Sequence, residues 1–148
     1  MYPAILSPNF TWAEAEITQH RSIDNTIPPE LWTAVQNTAK QMERVRACLG
    51  TPILVSSWYR CPELNKVIGS KSTSQHLKGE AVDFISPKYG TPKFVALELN
   101  KPADWLKFDQ LLLEHTWIHI SFPSDPNRVA RKEVLTLAQN GSWQKGIV

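Results

Sequence analysis

The segment Ser74-Gln75-His76-Leu77-Lys78-Gly79-Glu80-Ala81-Val82-Asp83-Phe84-Ile85 sets the terms for the rest of the chain. Residues 69–75 are rich in Gly, Ser, Thr and Lys and read as a loop. Residues Ala81–Ile85 are apolar apart from Asp83 and read as a strand. Gly79 stands between the two, where it lets the backbone turn tightly. A carboxylate in the middle of an apolar strand is too costly to leave unpaired. A bound cation would answer that need, and so would a salt bridge or a set of backbone N–H donors.

Upstream of this segment the pattern is helical. Thr11 and Glu14 have capping-box spacing, which predicts a short helix starting near Thr11. A turn follows at Ile27-Pro28-Pro29. Leu31, Val35, Met42, Val45 and Leu49 then recur at helical spacing, and Gly50 stands where a terminating glycine belongs. Ile53–Ser57 reads as a buried strand and Pro62 to Val67 as a short helix. Downstream, Lys93 to Leu99 reads as a helix entered at Thr91-Pro92. Strands are predicted at Gln110–Leu113, Trp117–Phe122 and Glu133–Leu137. The sum is an α+β fold: N-terminal helices packed on a small, mainly antiparallel sheet.

The 148 residues suit one domain over 1–148, and the composition, 42% hydrophobic and 20% charged, is that of a globular protein. A net charge of +2 argues against a nucleic-acid partner, which calls for a strongly basic patch. No run approaches a membrane span. Residues 1–10 lack a basic start and a long apolar run, which predicts synthesis in a cytoplasm without a signal peptide. The six tryptophans read chiefly as core, and any exposed in a groove would suit stacking on sugar rings. Cys48 and Cys61 form no framework and read as free buried thiols, with a single disulfide as the alternative. Lys78, Glu80, Arg128, Arg131 and Lys132 read as solvated charges.

A second segment, Glu114-His115-Thr116-Trp117-Ile118-His119-Ile120-Ser121, adds to the chemistry. On a strand, Trp117, His119 and Ser121 share one face and Ile118 and Ile120 the other. His119 can then join His76 and Asp83. Two imidazoles and one carboxylate suit Zn²⁺ and leave a fourth position for water, the catalytic arrangement. Glu114 lies five residues before His119, which on one straight strand would put them on opposite faces. A tight turn at His115-Thr116 would instead let Glu114 end one strand and face His119 on the next, as general base and then acid. Arg60, after the strand Ile53–Ser57, is the candidate for holding an oxyanion or a substrate carboxylate. His20 and His115 read as bystanders.

At these residues the chain resembles the zinc D-Ala-D-Ala carboxypeptidase group, peptidase family M15, within the lysostaphin, D-Ala-D-Ala peptidase and Hedgehog superfamily. Ser74, His76, Gly79, Ala81 and Asp83 match its first motif, and Trp117 and His119 its second. Ser57-Trp58-Tyr59-Arg60, with Asn65 following, is similar to the family's Ser-x-Tyr-Arg segment. Phe108-Asp109-Gln110-Leu111 looks like the branch common in bacteriophage genomes. The resemblance runs from about Phe10 to Ser121. It implies a Hedgehog/D-Ala-D-Ala peptidase-like fold and a zinc held by His76, Asp83 and His119. It also implies Glu114 as acid/base, Arg60 as substrate and oxyanion contact, and a substrate-binding role for Ser74 and Trp117. Some relatives place the acid three residues before the last histidine, where this chain has Thr116. The phage-type branch has a variable gap there, which leaves Glu114.

The implied activity is hydrolysis of peptidoglycan stem peptides, as a D-Ala-D-Ala carboxypeptidase or as an L-Ala-D-Glu or DD-endopeptidase. The setting would be a phage endolysin, monomeric or virion-associated, acting at the cell wall. The rival is a zinc-containing virion component or wall-binding module without catalysis. Such a module would tolerate loss of Glu114, and a peptidase would not.

Overall fold

The architecture was obtained as a computed structural model that describes residues 4–101 and 105–148. A small hairpin of β1 (Ile5–Ser7) and β2 (Phe10–Thr11) opens the fold. Strands this short leave no periodicity to read, and the sequence pattern did not predict them. Helix α1 (Trp12–Ala15) begins at the expected capping box: Glu14 N donates to Thr11 Oγ1 at 3.1 Å, and Thr11 N donates to Glu14 Oε1 at 2.9 Å.

Helix α2 (Trp32–Leu49) carries Val35, Met42, Val45 and Leu49 on its buried stripe and ends at Gly50, whose φ is 66°. Strand β3 (Leu54–Ser57) is followed by α3 (Pro62–Ile68), a one-turn 3-10 helix at Gln75–Lys78, and β4 (Ala81–Ile85). Helix α4 (Pro92–Leu99) is capped by Thr91. Then come β5 (Gln110–Glu114), β6 (Trp117–Ser121), β7 (Glu133–Leu137) and β8 (Trp143–Lys145). Strands β3 to β8 form a six-stranded sheet in the order β3-β4-β6-β5-β7-β8, antiparallel except for the parallel pair β5–β7. The α+β expectation holds.

The two faces of this sheet divide the work. Val82, Phe84, Ile118, Ile120, Leu111 and Leu113 point to one face and join Val35, Met42 and Val45 of α2 and Val95 and Leu99 of α4 in one core cluster. Each such large side chain, fully buried, contributes roughly 1.5–3 kcal/mol relative to exposure. The other face carries Ser57, Asp83, His119, Leu112 and Leu135 in one cross-strand row, because directly paired residues share a face. Helices α2 and α4 cover the first face, and the second becomes the floor of a cleft.

Three expectations need correction. β3 is not buried: it is the sheet edge, and Leu54 is 53% exposed. The apolar run Ile53-Leu54-Val55 mimics a central strand, while only Ile53, just before it, is buried. The cysteines are free, as expected, but half-buried. Glu80 is not solvated. Its side chain is 1% exposed and accepts from Arg128 Nη2 at 2.6 Å and from Ser124 N at 2.8 Å. Of the tail cations, Arg128 is half-buried, while Arg131 and Lys132 are exposed, as expected, and make bonds as well. Arg131 grips the buried Asp109 through Nε and Nη2, and Lys132 donates to Leu106 O at 2.9 Å, over the Phe108 ring. Lys78 is exposed, as expected.

Candidate active site

His76 reaches the cleft because the chain turns sharply after it. Gly79 has φ +71, and a Cβ there would stand 2.5 Å from Val35 Cγ2, so both the left-handed backbone and the approach to α2 require glycine. The Gly79 carbonyl accepts from Thr38 Oγ1 at 2.9 Å and from Trp58 Nε1 at 3.0 Å. Ser74 caps the turn, its Oγ accepting from His76 N at 3.3 Å. The ring is fixed in turn: His76 Nδ1 lies 2.5 Å from the Trp58 carbonyl oxygen. A carbonyl only accepts, so Nδ1 carries the proton and Nε2 presents its lone pair. Trp58 therefore holds both His76 and the Gly79 turn that follows it. Sequence reasoning gave it no role, although it lies inside the Ser57–Arg60 motif.

Asp83 on β4 and His119 on β6 are directly paired across the strands. Asp83 Oδ1 lies 3.2 Å from His76 Nε2 and 3.0 Å from His119 Nδ1. Its Oδ2 accepts from Arg60 Nη2 at 3.2 Å. Burial opposes ionisation of Asp83, but the two histidines outweigh it and hold the carboxyl well below the usual range. Burial pushes the His76 imidazole down, toward its neutral form. One donor atom from each of His76, Asp83 and His119 lies within 4.8 Å of the others, and all three residues are buried.

This donor set fits a divalent cation on its own chemistry. The His76 lone pair and the Asp83 carboxylate are both acceptors, and they face each other with no proton to share while His76 is neutral. His119 Nε2 is buried without a hydrogen-bond partner among the described residues. A backbone carbonyl orienting a ligand histidine is also the usual outer-shell support of such sites. Two imidazole nitrogens and a carboxylate oxygen suit Zn²⁺.

Glu114 ends β5, and the His115-Thr116 turn leads directly into β6, as the spacing required. Glu114 pairs with Trp117, which places it on the His119 face. Burial and then the charge of Asp83 push its carboxyl above the ordinary value, only partly offset by His119, Arg60 and His115. His115 itself is exposed in the turn, and His20 is exposed in the loop after α1.

Arg60 is held by Ser57 Oγ, which accepts from its Nε at 3.1 Å. The segment carrying it is clamped by the buried Asn25: Cys61 N donates to Oδ1 at 2.8 Å, and Nδ2 donates to Tyr59 O at 2.9 Å. Asn25 went unnoticed in the sequence because its partners lie 34 and 36 residues away. Arg60, Ser74, His76, Asp83, Glu114, Trp117 and His119 all line one cleft of about 790 Å³. Every site residue singled out in the sequence is thus brought to one cavity. Trp117 Nε1 is buried there without an acceptor among the described residues.

A family model described as Peptidase M15 matches residues 8–121. The chain belongs to the peptidase M15 family, a metal-dependent group. No curated protein matches it as a relative. Among the described residues, no helix is long and apolar enough to cross a membrane.

Proposed function

We propose that this chain is a zinc peptidase that hydrolyses the stem peptides of bacterial peptidoglycan, with His76, Asp83 and His119 holding the ion. The observation that carries the reading is the buried His76–Asp83–His119 cluster beside Glu114, a carboxyl displaced upward by burial. Zinc, when bound, supplies the Lewis acidity that activates water and polarises a carbonyl. Glu114 accepts the proton of the attacking water and returns it to the leaving amine, a role suited to a carboxyl raised toward neutral pH. Arg60 commits one nitrogen to Asp83 and one to Ser57, and the rest of its fork faces the developing oxyanion or a substrate carboxylate. Trp117, next to Glu114 on the cleft wall, and Ser74, beside His76, are the further substrate contacts.

The phage-type motif around Phe108–Leu111 supports a wall-lytic role such as that of an endolysin, with residues 1–148 acting as one domain at the cell wall. The scissile bond is D-Ala–D-Ala, L-Ala–D-Glu or a cross-link. The test is digestion of purified peptidoglycan by the wild type and by Glu114→Ala, with products read by mass spectrometry. New fragments from the wild type alone support the peptidase and name the bond. No fragments from either protein, each with one zinc bound, would favour the non-catalytic wall-binding module.

A further inference from the structure

The matched family region ends at Ser121, yet the cleft continues past it. Glu133, on β7, lines the same cavity as His76, Asp83, Glu114 and His119. Its place on the cleft face follows from the register. Gln110 pairs with Glu133 and Leu112 with Leu135, and Leu112 also pairs with His119. Glu133 therefore stands two strands and two residues from His119, on the same face, because alternate residues of a strand point the same way. Those steps put the two Cα atoms roughly 12 Å apart, about three or four residues of extended peptide, and fewer where a long side chain spans part of the gap.

The Glu133 carboxylate is held in place but not neutralised. Gln110 Nε2 donates to its Oε1 at 2.6 Å. Arg131 Nη1 stands 3.9 Å from the same oxygen, beyond hydrogen-bond reach, while Nε and Nη2 of that arginine grip the buried Asp109. Glu133 Oε2 accepts no hydrogen bond among the described residues, and the side chain is 40% exposed. Asp109 and Glu133 bring two negative charges against the one positive charge of Arg131, so this end of the cleft is locally anionic. Of the other cations lining the cleft, Arg60 is paired with Asp83, and Lys71 makes no ion pair with Glu133. A fixed carboxylate with an open oxygen suits a ligand ammonium, whose N–H groups reach it as charge-assisted hydrogen bonds. A ligand carboxylate would instead meet the charge of Glu133.

We propose that Glu133 is a specificity-determining residue that takes the free side-chain ammonium of a diamino acid in the peptide substrate. The proposal rests on the peptidoglycan reading above, since stem peptides carry a diamino acid. It adds that the enzyme acts on stems whose side-chain amine is free. In a cross-link that nitrogen is acylated and uncharged, so hydrolysis of cross-linked stems is disfavoured.

The probes are synthetic stem peptides with lysine as the diamino acid: one with both amines free, one acetylated at the α-amine, and one acetylated at the side-chain amine. Binding is read by calorimetry on zinc-loaded Glu114→Gln protein, which leaves the peptides uncut, and turnover is read on the wild type. Side-chain acetylation should weaken binding about fivefold, the upper range for a partly exposed ion pair, and α-acetylation should not. Adding Glu133→Gln should remove that preference and leave the affinity for the side-chain-acetylated peptide unchanged, and Glu133→Asp should retain part of it. Raised salt should shrink the preference. Equal binding of the free and side-chain-acetylated peptides overturns the proposal, as does a preference that survives Glu133→Gln or one that follows the α-amine alone. A uniform loss across all the peptides in Glu133→Gln would make the residue structural and also overturn it, as would failure to bind any of them. The binding arm needs no hydrolysis. Selective binding through Glu133 without turnover by the wild type would sink the peptidase reading and keep the subsite. Turnover indifferent both to side-chain acetylation and to Glu133 would do the reverse.

Discussion

The Nδ1–H of His76 is committed to the carbonyl oxygen of Trp58, so the imidazole can turn only its Nε2 lone pair toward Asp83. This fixed tautomer makes the pocket a receptor for a cation before any cation arrives. The expected outcome is one zinc per wild-type chain by elemental analysis, and loss of that zinc in His76→Ala and Asp83→Ala. Because the ion would bind the folded chain, zinc at a hundred times its dissociation constant should stabilise the wild type by about 2.7 kcal/mol and neither variant. Chelation should abolish turnover and Zn²⁺ restore it. Unchanged zinc content in Asp83→Ala would remove that carboxylate from the ligand set.

Glu114 shares the sheet face of His119 but lies outside the cluster of His76, Asp83 and His119. Its replacement should therefore separate catalysis from metal binding. Glu114→Gln should keep full zinc stoichiometry and lose turnover by about a hundredfold or more, the usual contribution of a positioned acid/base. A rate near that of the wild type would assign the proton transfer to another group.

The candidate site was largely legible because its parts are local. His76, Gly79 and Asp83 fall within eight residues, and Glu114 and His119 within six, so loop, strand and turn rules place them. What escaped was long-range pairing. Glu80 and Arg128 look like ordinary surface charges, and only the return of the tail, 48 residues later, brings them together. Asn25 was missed for the same reason. The edge position of β3 could not be read from its apolar residues, since strand order depends on the partners of Asp83 and His119 rather than on β3 itself.

Gly79 and Gly50 both hold a left-handed backbone, at φ +71 and φ +66, but differ in surroundings. A methyl at Gly50 meets nothing within 4 Å, whereas one at Gly79 would be driven into Val35 on α2. Gly50→Ala should cost roughly 1–2 kcal/mol, the backbone penalty alone. Gly79→Ala should add an overpacking cost of roughly 1–3 kcal/mol and displace the turn that carries His76. Urea unfolding of both variants checks the difference, and zinc affinity should fall only in Gly79→Ala. Equal stabilities would show that α2 yields without resistance.

Glu80 ties the tail to the start of β4, and its protonation should loosen that joint. Burial works against its charge, but hydrogen bonds from Ser124, Arg128 and Gln75 prevail and hold the carboxyl below its ordinary value of 4.5. A lowered folded pKa means stability that is fully present above 4.5 and is lost as pH falls through the folded value. The wild type should therefore lose stability steeply below about pH 4.5, with Asp109, lowered by its hydrogen bonds from Arg131, adding to the same limb. Glu80→Gln removes the titrating group. It should be less stable at pH 7 by roughly 1–3 kcal/mol, because Arg128 and Ser124 lose a charged acceptor. Its thermal midpoint should fall less between pH 5 and pH 3 than that of the wild type. Parallel acid limbs in the two proteins would show that other carboxylates govern acid unfolding and that the Glu80–Arg128 pair contributes nothing to it.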